Sequence, residues 1–123
     1  MKGYYSKLIT IVPLILSASA LFAQSKNIEV KQLYTDSLSS SFEISVRDSV
    51  RLHYHAKHTE HLFVLEGEAR MQIGENTFTI TQGNYYTIPK GARHAVWVLS
   101  ELPLKVISVQ SPQFLGEDRH FLE

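Results

Sequence analysis

At 123 residues the chain has room for one domain, and its 12 basic residues balance 12 acidic ones to a formal net charge of zero. With no basic stripe and no RNA-binding signature, that balance argues against nucleic acid as a partner. The chain has no cysteine, which excludes disulfides, thiolate metal sites and cysteine nucleophiles.

Residues 1–23 differ from the rest. A basic start with Lys2 and Lys7 leads into an apolar run over residues 8–16, then Ser17, Ala18, Ser19 and Ala20. This three-part layout is that of a secretory signal peptide, with cleavage expected after Ala20 or after Ala23. The competing reading is an uncleaved membrane anchor, for which the apolar run is short, since spanning takes about 20 apolar residues. Export predicts a periplasmic or secreted protein with no membrane association after cleavage. Removing residues 1–23 takes away Lys2 and Lys7 and leaves a net charge of −2 over 100 residues, enough for one small core.

From residue 28 onward the period is two, the alternation of half-buried strands. Strands are predicted over residues 28–30, 42–46, 50–55, 61–65, 68–73, 77–81, 85–88, 94–99 and 105–109. A polar connector occupies residues 35–40, and residues 56–59 form a loop. Gly74, Glu75 and Asn76 predict a hairpin turn, because Gly and Asn tolerate positive φ. Gln82, Gly83 and Asn84 predict another. Pro89, which cannot donate to a ladder, stops a strand. The tail over residues 111–123 is expected to pack as an arm across a sheet. About nine short strands with regular turns and no convincing helix after the leader imply an all-β sandwich or barrel.

Five of the six histidines fall between positions 53 and 94. His53 and His55 are two apart, so on a strand both imidazoles face one side and Tyr54 faces the other. Glu60 follows a four-residue loop and opens the next strand, and His94 opens a later one. A closed sheet brings such strand ends around one cavity. Imidazole nitrogen with carboxylate oxygen suits Zn, Mn, Fe, Ni or Cu(II). Arg51 shares the parity of His53 and His55, so it either enters the barrel to bind a substrate carboxylate or phosphate, or faces solvent at the mouth. His58 is expected to be a solvated loop residue and His61 to face away. Met71, Phe78, Ile80, Val96 and Val98 are expected in the core. Tyr85, Tyr86 and Trp97 suit either a pocket or an interface.

These residues resemble a known family. His53, His55, Glu60 and Gly67, at their spacing, are similar to the first cupin motif, and Gly83, Pro89, Gly91 and His94 to the second. The 15 intervening residues, 68–82, resemble the short spacer of compact bacterial cupins. Arg47 and Val98 depart from the pattern at positions that carry no ligand. The resemblance implies a double-stranded β-helix, the cupin jelly roll, over residues 28–123. It also implies one divalent metal ion held by His53, His55, Glu60 and His94, with no catalytic residue identified. Because an exported chain crosses the membrane unfolded and collects its ion outside, the affinity order favours Zn or Cu, with Mn, Fe and Ni open. The function expected is a metal-dependent enzyme acting on a small polar molecule, with dioxygenase-, isomerase- or epimerase-like chemistry. The alternative is a non-enzymatic module that binds metal or a small ligand. A homodimer is expected, with Phe63 and Trp97 as outward aromatic residues for the interface.

Overall fold

In the computed structural model, which describes residues 26–122, the alternation becomes ten strands. They are β1 (Ile28–Thr35), β2 (Ser40–Val46), β3 (Ser49–Tyr54), β4 (Thr59–Glu66), β5 (Glu68–Ile73), β6 (Asn76–Thr81), β7 (Tyr85–Ile88), β8 (His94–Val98), β9 (Leu104–Ser111) and β10 (His120–Phe121). The segment read as a signal peptide lies outside the described residues. Among those residues no helix is long and apolar enough to cross a membrane.

The strands form two five-stranded antiparallel sheets, ordered β1-β2-β9-β4-β7 and β10-β3-β8-β5-β6. The chain passes repeatedly between them, which is the double-stranded β-helix. Their inner faces meet in one core. Val46, Leu62, Val64, Leu104 and Val106 come from the first sheet, and Met71, Ile80 and Val96 from the second. Phe78 and Val98 pack at its margin. The pattern is strict along β9, where Leu104, Val106, Ser108 and Gln110 are buried and their neighbours half-exposed. Phe63 is exposed on the first sheet and Trp97 on the second, so the two aromatics belong to different layers.

Crossing between sheets needs corners, and the motif glycines stand at them. Gly67 joins β4 to β5 with φ +85°, and a Cβ there would lie 2.7 Å from Pro103 O. Only glycine meets both the left-handed backbone and the close approach. Gly83 and Gly91 occupy the corners that lead into and out of β7. The β5–β6 hairpin turns on Gly74 and Glu75, with positive φ at Gly74 alone, so Asn76 already pairs with Ile73 as strand. That is the type II′ arrangement, whose first central residue is glycine.

Several local expectations shift. The connector at residues 35–40 is tighter than its polar sequence suggested: Thr35 and Ser40 pair, and Asp36 Oδ1 accepts from the Leu38 and Ser39 amides. β3 ends at Tyr54, one residue early. Its register slips between Val50 and His53, so simple parity does not run along the whole strand. The tail does lie as an arm: β10 pairs with β3, and the Leu122 amide donates to Leu52 O at 3.0 Å.

Gly67→Ala is expected to destabilise by about 3 kcal/mol or more, from left-handed strain plus the Pro103 clash. Gly74→Ala, with nothing within 4 Å of the added Cβ, is expected to cost about 1 kcal/mol. Urea unfolding of both variants checks the contrast.

Candidate metal centre

His53 and His94 face each other across the β3–β8 ladder, with ring centroids 4.1 Å apart. His55 lies just past the end of β3, its ring 5.1 Å from each of the other two. One ring nitrogen from each lies within 4.8 Å of the others, and all three residues are buried. Glu60 comes from the opposite sheet on β4, 5% exposed. Its Oε2 is 3.3 Å from His55 Nε2 and 3.4 Å from His94 Nε2. Of the four residues read from the sequence, the three histidines therefore form one cluster and Glu60 meets two of them.

Backbone carbonyls hold the rings. His53 Nδ1–H donates to Arg51 O at 2.7 Å, His55 to Asp118 O at 2.5 Å and His94 to Ala92 O at 2.9 Å. A carbonyl only accepts, so each neutral ring carries its proton on Nδ1 and turns the Nε2 lone pair inward. Ser108 Oγ–H donates to Glu60 Oε1 at 2.5 Å, which orients the carboxylate. Two lone-pair atoms then confront each other across 3.3–3.4 Å, and His94 Nε2 is buried without a hydrogen-bond partner. A proton or a cation between them resolves that arrangement. Three anchored imidazoles and one carboxylate suit a divalent ion.

The electrostatics follow from the same contacts. Burial, with His94 nearby, pushes the His53 imidazole down from 6.5 to about 4. Burial also acts against the charged form of His55, but Glu60 and the Asp118 carbonyl outweigh it and raise that ring above 6.5. Burial would raise the Glu60 carboxyl, yet the His55 and His94 rings and Ser108 hold it well below its ordinary range.

Sequence reading missed Asp118. It is buried in the arm, where its carboxylate accepts from the Ala56 amide at 2.9 Å and the Lys57 amide at 2.7 Å. It also meets His58 Nδ1 at 2.6 Å and His120 Nε2 at 3.0 Å. Burial would raise the Asp118 carboxyl, but His58 and these amides lower it well below the usual range. His58 is thus no solvated loop residue. It is 7% exposed, and its two ring nitrogens face Asp118 Oδ2 and Gln113 O. Spacing carried no signal for this clamp, because its parts lie about sixty residues apart in the chain. His61 does face away, stacked on Tyr85 on the outer surface.

A cavity of about 390 Å³ opens beside the triad. His53, His55, Glu60 and His94 line it, and Arg51 lies at its mouth, exposed yet part of the wall. Arg51 is therefore open to solvent while lining the cavity. Tyr85, Tyr86 and Trp97 do not line it.

In metal-free protein, stability is expected to peak near pH 6.5. His53, Glu60 and Asp118 have lowered values, so below their ordinary ones the unfolded chain takes up protons first and stability falls. His55 has a raised value, so its contribution is present below 6.5 and lost as pH rises through the folded value. Urea midpoints across pH 4–8 check this. Asp118→Asn is expected to flatten the acid limb and to cost about 2 kcal/mol near neutrality. Asp118→Ala, by loosening the His55 anchor, is expected to weaken metal binding about tenfold or more in a metal-chelator competition.

The cupin domain family model matches residues 41–110, which include all four candidate ligands. Mannose-1-phosphate guanylyltransferase 2 of Escherichia coli O157:H7 is 37% identical over 70 residues, 57% of this chain but 14% of that protein. The chain thus spans about a seventh of the length of this curated relative. KdgF from Halomonas sp. superposes with a TM-score of 0.69 at 18% identity, covering 75% of this chain and 84% of that one. Streptomyces PAC13 with uridine gives 0.70 at 12%, covering 80% and 81%. Fold, motif positions and family match converge on one assignment: the chain belongs to the cupin family.

Proposed function

We propose that this chain is an exported cupin that binds one divalent metal ion through His53, His55, Glu60 and His94 and acts on a small polar molecule. The observation that carries the reading is the set of three Nδ1–carbonyl anchors, which turn three lone pairs toward one buried point. The three-part layout of residues 1–23 supports periplasmic or secreted placement. Loading outside the cytoplasm favours Zn or Cu over Mn, Fe and Ni. A homodimer is in keeping with a core this small.

A bound ion would supply Lewis-acid or redox chemistry at the cavity floor. The chain itself supplies the rest. Ser108 fixes the Glu60 carboxylate, the three carbonyls fix the ring orientations, and Leu62, Met71, Ile80 and Val96 exclude water from the inner wall. Arg51 at the mouth is placed to receive a negatively charged group. The uridine in PAC13 and the sugar phosphate in the name of the guanylyltransferase relative suit a small hydroxylated substrate class.

A second reading is a non-enzymatic module that binds metal or a small ligand. One observation favours it: the cavity lining contains no carboxylate or imidazole outside the four candidate ligands. A separate general acid or base is therefore absent from the described wall, and any turnover must use the ion or its own ligands.

Protein recovered from the periplasm is expected to carry about one equivalent of Zn or Cu by elemental analysis, the stoichiometry of a single site. His94→Ala is expected to lose it while still unfolding cooperatively. Full occupancy by Mn or Fe would overturn the metal preference, and undiminished metal in the variant would overturn the site. Turnover of a hydroxylated substrate by the loaded parent separates the enzyme from the binding module.

A further inference from the structure

The cavity is unevenly charged. Arg51 and Arg119 are the cations in its described lining, and Glu60 is the single carboxylate, already engaged by His55, His94 and Ser108. No carboxylate among the described residues lies within ion-pair distance of either guanidinium. Each is laid against a ring of the C-terminal arm instead. Arg51 Cζ stands 5.0 Å from the centre of Phe121, and Arg119 Cζ stands 5.9 Å from that of Phe114. Stacking restrains a guanidinium while leaving its in-plane N–H fork free for a carboxylate or phosphate.

A third group points the same way. Gln110 lines the cavity on β9, in register with Glu60. It is 2% exposed, and its Oε1 has no hydrogen-bond partner. A buried acceptor left unmade is costly, so a donor from the ligand is the natural complement. The cavity volume of about 390 Å³ limits that ligand to a small molecule.

We infer that the cavity takes a small hydroxylated anion, a carboxylate or a phosphate, whose charge is gripped by Arg51 and Arg119 and whose hydroxyl donates to Gln110 Oε1. This names the substrate class of the site in the preceding subsection and rests on that reading. Arg51 and Arg119 set specificity for charge, and Gln110 sets it for the hydroxyl. The arm is part of the recognition surface, because it carries Arg119 and both stacking rings.

The test uses the mature, metal-loaded protein, freed of excess ion, with four probes in calorimetry: glycerol 3-phosphate, glycerate, inorganic phosphate and glycerol. Glycerol 3-phosphate or glycerate is expected to bind most tightly, phosphate more weakly and glycerol least. The phosphate and carboxylate arms distinguish the two anion types. Arg51→Gln and Arg119→Gln are each expected to weaken anion binding about tenfold, the size of one charge-assisted hydrogen bond. Arg119→Lys is expected to recover part of it. Gln110→Leu is expected to remove the preference for glycerol 3-phosphate over phosphate while leaving phosphate affinity intact. Arg70→Gln, on the outer face of β5, is expected to change nothing, which controls for overall charge. Cooperative melting confirms that each variant folds. Equal anion affinity in parent, Arg51→Gln and Arg119→Gln, or no binding of any probe, overturns the inference. Metal content measured on the same samples separates the two readings. Arginine-dependent anion binding by protein that holds no metal would sink the metal site and leave the anion site standing.

Discussion

A carboxylate inside an apolar barrel is the constraint on which the rest depends. Glu60 is buried and lines a cavity shared with Leu62, Met71 and Val96, where an isolated charge would cost many kcal/mol. It persists because Ser108 donates to one oxygen and two imidazoles face the other. Those partners come from three other places in the chain, so the register of β4 against β9 and the approach of the second sheet are both tied to it. The polar groups around Glu60 are thus mutually required.

The arm extends that dependence to the end of the described chain. Asp118 links the loop after β3 to the tail through its carboxylate and orients His55 through its carbonyl. One residue therefore joins the stability of a surface segment to the geometry of a buried site. Phe114 and Phe121, on either side of it, hold the two arginines at the mouth. A segment with little regular structure thus carries much of the second layer around the candidate centre.

How much of this was legible follows from the range of each signal. The strands, the core and the corner glycines rest on local periodicity and on residues such as Gly67 that admit one conformation, so they could be read directly. The four candidate ligands were legible because their spacing resembles the two cupin motifs, although His55 lies just past β3 and Glu60 is the second residue of β4. Asp118, Ser108 and Arg119 were not, since a serine or aspartate in a polar stretch looks the same whether it holds a neighbour or faces water. His58 was misread for that reason: its loop looks solvated, and only the distant arm buries it. Parity also failed over part of β3, where the slip after Val50 breaks the count of two.

The order of the partners along the chain has a temporal consequence. His53, His55, Glu60 and His94 are all synthesised before Asp118, whose carbonyl fixes the His55 tautomer. Until residue 118 has joined the barrel, one imidazole lacks its anchor and is free to present either nitrogen. The donor geometry at His55 is therefore complete only when the arm lies in place against β3.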